Sequence, residues 1–441
     1  MGKLLLSLGL PGIASMVTMA LYNIIDTFWV SGLGHEAIAA LTVIMPFTTL
    51  IMAIGGGTGI GVSSLVARRF GEGNVKATNR IAGQVFPLTL LFGGIFLILA
   101  VGFPETILKL CGATPDIMDF ARDYLTVIGY GGITVFFGMV AMDMLRGSGD
   151  AVRPMIFMVT AAVLNTVLDP FLIFGWWIFP EMGVTGAALA TVISQAIAGL
   201  LCLFYILAKK SAYHVGIADM RPNYKIIKEI YRVGLPSMLT QITESITFML
   251  LNNVLSGFSS MAIAAVGIIM RVVDFAFMPI IGISNGLLPI TGYNYGARKW
   301  KRMWKAFRLA SLWLVGLMSV ATVFLMIFAP QLIGIFNQEP EFLELAVPAM
   351  RIMIAMLPVI GLAIGTTSVF QGMGRGLTVL FLSLSRQLIF FIPAMYIMAH
   401  FWGLTGVWIS MPFSDLCGVF VAVVWLVIVF RKMRKHPNWQ E

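Results

Sequence analysis

Apolar residues dominate this chain in stretches of about 20 to 30, each closed by a short polar hinge. A helix of that length crosses roughly 30 Å of hydrocarbon. Twelve such stretches fall at 4–33, 37–67, 78–103, 118–145, 152–176, 183–208, 233–256, 260–291, 304–330, 345–372, 377–400 and 403–430. The pattern predicts an all-α membrane protein of twelve transmembrane helices.

Composition agrees. Of 441 residues, 59% are hydrophobic and 11% charged, against about 25% charged in soluble domains, so a soluble fold is excluded. The net charge of +9 first suggests nucleic acid, but its distribution argues otherwise. Basic residues fill alternate loops: Arg68, Arg69, Lys76 and Arg80; Arg146 and Arg153; Lys209, Lys210, Arg221, Lys225, Lys228 and Arg232; Arg298 to Arg308; and Arg431 to Lys435. The intervening loops carry His35, Glu36, Glu105, Glu181, Glu339, Glu341 and Glu344. The positive-inside rule then places both termini in the cytoplasm, with membrane lipid rather than nucleic acid as the neighbour. The first segment is too long for a signal peptide and lacks a small-residue cleavage site, so it is expected to be a retained span. Cys111, Cys202 and Cys417 have no metal-ligand spacing and read as packing residues. His-Glu-x-x-His does not occur, the one Gly-x-Ser-x-Gly, Gly282 to Gly286, is embedded in the apolar stretch 260–291, and His35, His214, His400 and His436 fall at segment ends or in loops, so an enzyme is not expected.

Shifting the chain on itself by 225 positions exposes an internal repeat. Gly9-Leu10-Pro11 meets Gly234-Leu235-Pro236, Ser31-Gly32 meets Ser256-Gly257, and Ala37 to Ala40 meets Ala262 to Ala265. Gly71 meets Gly296, and Gly147 and Gly149 meet Gly372 and Gly374; after a five-residue shift Gly183 to Gly186 meets Gly403 to Gly406. Six spans per copy is even, so both copies share one orientation, a parallel repeat. The expected plan is two pseudo-symmetric six-helix bundles around a V-shaped cleft, with lobes at 1–210 and 233–441 joined by a cytoplasmic linker, 211–232. Within the linker, Tyr224 to Arg232 reads as an amphipathic lead-in to segment seven. Two such lobes can alternate access to a central site.

Ionisable residues inside spans are costly and therefore candidates for function. In the first lobe these are Asp26 and Asp169, each about six or seven residues before an outer end and so at one depth. Asn165 lies one turn before Asp169 on the same face, and Thr191 reaches a similar depth in segment six. Pro170 withholds a hydrogen bond from the carbonyl of Thr166. This oxygen-rich set suits Na⁺ or a proton shared between acids; alternatively, the aspartates only hold helices together. In the second lobe Glu244, Arg271, Asp274, Arg386 and Asp415 share the mid-membrane. They form either a substrate or proton site with one surplus negative charge or a structural ion-pair network. The repeat aligns Asp26 with Leu251 and Glu244 with Met19, so the halves share a scaffold but not a site. Pro11 and Pro236 begin segments one and seven, where a missing hydrogen bond permits either a hinge or a static kink. The run Gly55 to Gly61 lacks the Lys-Ser/Thr of a phosphate loop and reads as close helix packing. Twenty-nine methionines and 32 phenylalanines suit a pliable apolar cavity, although ordinary packing accounts for most of them.

These features resemble the multidrug and toxic compound extrusion (MATE) family over essentially the whole chain. The resemblance is carried by Tyr22-Asn23-Ile24-Ile25-Asp26-Thr27-Phe28-Trp29-Val30, Ala67-Arg68-Arg69-Phe70-Gly71-Glu72-Gly73-Asn74, Leu145 to Asp150, Leu164 to Pro170 and Gly186 to Thr191. It implies a prokaryotic cell-membrane antiporter, expected as a monomer without cofactor, exporting small organic cations or amphipathic drugs in exchange for H⁺ or Na⁺. By position, Asp26, Asn165, Asp169 and Thr191 match the family's first-lobe cation site, Pro11 its bending proline and Glu244 a segment-seven acid. The second-lobe acid that many members carry in segment ten is missing between Met350 and Gly372. The alternative reading is a flippase for a lipid-linked precursor or lipid, which would be expected to need several basic residues in its cleft.

Overall fold

The computed structural model describes residues 1–208 and 210–435. Lys209 and His436, named above, lie outside the described residues. In order, the helices are α1 (Gly2–Ser31), α2 (His35–Gly71), α3 (Val75–Gly102), α4 (Pro104–Leu110), α5 (Met118–Gly147), α6 (Val152–Phe174) and α7 (Gly183–Leu207). They continue with α8 (Tyr224–Ser256), α9 (Ser260–Gly296), α10 (Trp300–Ile327), α11 (Ala329–Gly334), α12 (Pro340–Met353), α13 (Leu357–Gly372), α14 (Gly376–Leu384) and α15 (Ile392–Arg434). A π-helical stretch, Ser385–Phe391, joins the last two. Lipid supplies no hydrogen bonds to a backbone, so helices that satisfy their own are the natural product of these apolar runs. Side chains finish some ends: Asn74 accepts from Ala77 N (3.0 Å) and Ser259 from Ala262 N (3.1 Å), while Gly175, in the left-handed region, stops α6.

Among the described residues, nine helical runs are long and apolar enough to span a membrane. The pair α12 and α13, bent by 46°, makes a tenth. The run Gly376–Arg434 counts once there but breaks at Gly403, whose φ of 59° is not helical. Counting its two parts, and α8, whose polar residues, Gln241, Glu244, Asn252 and Asn253 among them, keep it out of the nine, gives the twelve expected. The lead-in Tyr224 to Arg232 is continuous with α8. The short α4 and α11, the break between α12 and α13, and the π-helical stretch leave no mark on hydropathy and were not anticipated.

Contacts gather the chain into two compact units: Ala14–Leu235, and Met1–Ile13 with Pro236–Glu441. The division falls inside α1 and α8 rather than in the linker. In the first unit α5 packs against α2, α3 and α7, around a core that includes Val62, Ile81, Val85, Phe136, Val140 and Leu145. In the second unit α9, α10 and α13 pack on one another, and α15 packs on the π-helical stretch.

The start of α8 belongs to the first unit because glycine lets it sit against α2: a Cβ on Gly234 would lie 2.7 Å from the carbonyl oxygen of Gly57. The start of α1 belongs to the second unit for the same reason, since a Cβ on Gly12 would lie 2.7 Å from the carbonyl oxygen of Gly282. Leu5 and Ile230, equivalent under the 225-residue shift, are both fully buried. The run Gly55 to Gly61 thus serves close packing, with Gly55 against Met139 and Gly59 against Asp143 of α5.

The linker is bound to the first unit. Gln84 of α3 donates to the carbonyls of Asp219 (3.1 Å) and Arg221 (3.0 Å) and accepts from Asn223 N (2.8 Å). The hydroxyl of Tyr213 donates to Met144 O at 2.6 Å, and its burial pushes the phenol well above its usual pKa. Arg69 bridges Glu72 and Glu229, both at 2.8 Å, tying the end of α2 to α8.

Candidate functional site

The first unit assembles the four residues expected there. Asn165 and Asp169 stand one turn apart on α6, and Asn165 Nδ2 donates to Asp169 Oδ1 at 3.2 Å. The same nitrogen reaches Thr191 Oγ1 on α7 at 3.3 Å. Thr191 in turn pairs with the hydroxyl of Tyr22 on α1 at 3.3 Å. Asp26 is one turn beyond Tyr22 on the same helix, within electrostatic reach of Asp169. Asn165 (1% exposed) and Asp169 (0%) are buried, and α6 runs through Pro170 without a break.

Three oxygens are left over. Asp26 Oδ1, Asn165 Oδ1 and Asp169 Oδ2 are all buried without a hydrogen-bond partner. Because Asn165 spends its amino group on Asp169 and Thr191, its carbonyl remains as an acceptor. Buried acceptors without donors are rare and call for an explanation. Three such oxygens, two from carboxylates and one from an amide, with no N–H pointed at them are the donor set of a hard cation or of an added proton. Among the described residues no group of three or more His, Cys, Asp and Glu that could hold a metal ion is found.

Tyr22 and Tyr124 have no role legible in the sequence alone, and Tyr124 lies near Tyr22, Asp26 and Asp169. The one-turn spacing from Tyr22 to Asp26 was the available signal. Tyr124 is distant in sequence and carried none. Asp143, an acid inside α5, was also passed over; it pairs with Arg146 at 2.7 Å.

The second unit brings together three of its five expected residues. Arg386 NH1 donates to Asp415 Oδ1 at 3.0 Å, and its NH2 lies 4.0 Å from Glu244 Oε1. Gln387 Nε2 donates to the same Glu244 oxygen at 3.4 Å. Gly418, one turn from Asp415 on α15, makes room for the stem of Arg386, whose Cγ would be 2.8 Å from a Cβ there. Arg271 and Asp274 sit on an exposed face of α9, and among the described residues no ion pair includes either. Gln387 was not anticipated, because a search for charge passes over amides. Pro11 lies inside α1, two residues before the chain passes from one unit to the other.

The family described as MatE matches residues 11–171 and 236–397. The two matches begin at Pro11 and Pro236, the 225-residue offset of the repeat. The chain is 28% identical over 421 residues, covering 95% of its own length and 92% of the relative's, to the multidrug export protein MepA of Staphylococcus saprophyticus. It superposes with a TM-score of 0.91, at 30% identity, on the outward-facing conformation of a multidrug resistance MATE family transporter of the MOP superfamily, covering 98% of this chain and 97% of that one. A MOP superfamily transporter from Pyrococcus furiosus, described as having a binding pocket of reversed polarity that suggests a different function, matches at 0.91 and 29% identity over the same shares.

Proposed function

Because the chain belongs to the MatE family of transporters, we propose that it is a secondary active antiporter. It exports cationic or amphipathic organic compounds in exchange for H⁺ or Na⁺, by alternating access of its two lobes. The observation that carries this reading is the trio of buried, unpartnered oxygens on Asp26, Asn165 and Asp169. A cation or proton entering there neutralises two neighbouring carboxylates that are costly to keep charged together. Asn165 holds Asp169 in place, and Thr191 links α7 to both α6 and α1. Loading and unloading of this site bias α1, with Pro11 as its hinge, between two arrangements, and the organic compound leaves when the ion enters. The printed name of the staphylococcal relative, a multidrug export protein, supplies the substrate class.

Glu244, Arg386 and Asp415 form the proposed second-lobe site for substrate or proton, with Glu244 carrying the surplus charge, and Arg271 and Asp274, on the exposed face of α9, lie outside their ion pairs. The proposed cycle uses no resident cofactor and runs in a monomer in a prokaryotic cell membrane, with both termini cytoplasmic. The flippase alternative is not favoured: it calls for free basic residues, whereas Arg386 is engaged by Asp415. Proteoliposomes loaded with an ethidium-like dye test the proposal under an imposed H⁺ or Na⁺ gradient. Wild type should move dye against its gradient with one of the two ions, and the Asp26→Asn, Asp169→Asn double variant should not. Full efflux by the double variant would end the first-lobe mechanism.

A further inference from the structure

The π-helical stretch Ser385–Phe391 does more than join two helices. Its wider turn, of a kind often found at functional sites, brings two neighbours in sequence, Arg386 and Gln387, to one acid on another helix, Glu244. They treat it differently. Arg386 is committed to Asp415, at 3.0 Å against 4.0 Å to Glu244. The Asp415 side chain is 9% exposed and that of Glu244 49%. One arginine between two acids leaves a net negative charge, and Glu244 is the acid that holds it where a ligand can approach.

Gln387 is 4% exposed. Its Nε2 points at Glu244, and its Oε1 is buried without a partner. An amide has two donors and one acceptor oxygen, and turning it about its last bond exchanges them. With the amide turned, a carbonyl faces the carboxylate, an arrangement that is repulsive unless a donor lies between. A ligand N–H placed there donates to both oxygens, and the acceptor that is idle in the free protein is satisfied. A cation without N–H gains only the charge of Glu244.

We propose that Gln387, presented by the π-helical stretch, makes the Glu244 site selective for organic cations that carry an N–H donor, such as protonated amines, amidines and guanidines, over quaternary ammonium ions. This deepens the antiporter reading and rests on it for the ligand being an organic cation. A site that hydrogen-bonds its ligand discriminates against one lacking the donor more strongly than shape alone does.

The test uses the purified full chain in nanodiscs and two fluorescent cations of nearly equal size, protonated N,N-dimethyl-1-naphthylmethylamine and its N,N,N-trimethyl analogue. Wild type should bind the protonated amine about tenfold more tightly. Gln387→Met, a change of similar volume, should abolish that preference, and an unchanged thermal unfolding midpoint shows that the variant is folded. Glu244→Gln should weaken both ligands. Equal binding of the two cations by wild type, or an undiminished preference in Gln387→Met, overturns the selectivity and leaves the antiporter reading standing. Parallel loss of both ligands in Gln387→Met makes Gln387 structural and overturns the inference as well. Wild type that binds neither cation overturns both readings.

Discussion

Replacing Asp169 with asparagine removes one charge from the first-unit site and little else. The new side chain keeps an oxygen where Asp169 Oδ1 accepts from Asn165, at 3.2 Å, and matches the old one in volume. Asp169 is wholly buried, so water does not screen its interaction with a bound cation. At a separation of about 4 Å and an effective dielectric constant of about 20, that interaction is worth about 4 kcal/mol. Relief from burying a second carboxylate subtracts from it, leaving about 2 to 4 kcal/mol, or a thirtyfold to thousandfold loss of affinity for the coupling ion. Trp29, three residues past Asp26 and with its indole nitrogen buried and unpartnered, provides a reporter. Its fluorescence, isolated as the signal lost in Trp29→Phe, can be titrated with Na⁺ at fixed pH and with H⁺ in sodium-free buffer. The variant should need at least thirtyfold more of the coupling ion and should accumulate no dye gradient. Unchanged affinity for both ions together with a wild-type dye gradient would refute the assignment of Asp169 to coupling.

Two further outcomes follow from the packing. Gly234→Ala places a methyl group 2.7 Å from the carbonyl oxygen of Gly57; overpacking of this kind costs about 1 to 3 kcal/mol. It should lower the thermal unfolding midpoint in detergent by roughly 1 to 3 °C, whereas Gly316→Ala, with nothing within 4 Å, should not. Gln84→Leu strips three hydrogen bonds from the linker, at about 1 kcal/mol or more each, and should speed tryptic cleavage at Lys225 at least tenfold. An unchanged cleavage rate would show that the linker is held by other contacts.

The helices and the repeat were legible because hydropathy and self-similarity are properties of the chain itself. Asn165, Asp169 and Thr191 were legible because buried polar groups at helical spacing stand out in an apolar background. Tyr22 and Gln387 did not stand out: a tyrosine and an amide inside a span read as ordinary amphipathic residues until the partner is seen. Arg271 and Asp274 have the spacing of an ion pair, yet they take no part in the one that forms, since charge pattern fixes neither rotamer nor facing helix. The π-helical stretch changes hydrogen-bond partners without changing composition. The exchange of helix starts depends on glycines facing glycines, Gly12 with Gly282 and Gly234 with Gly57, and sequence shows the glycines but not their pairing.

That exchange bears on how such a chain can have arisen. Each compact unit contains the opening turns of a helix whose remainder lies in the other unit. A single ancestral half, six helices long, would have had an unfilled groove along its second helix and a loose apolar start to its first. Two copies would have cured both defects at once by trading first turns, which is a swapped dimer closed on itself. Gene duplication and fusion would then have made permanent a partnership that the geometry already required. The two halves, no longer obliged to be identical, were free to keep the groove while diverging in everything it holds.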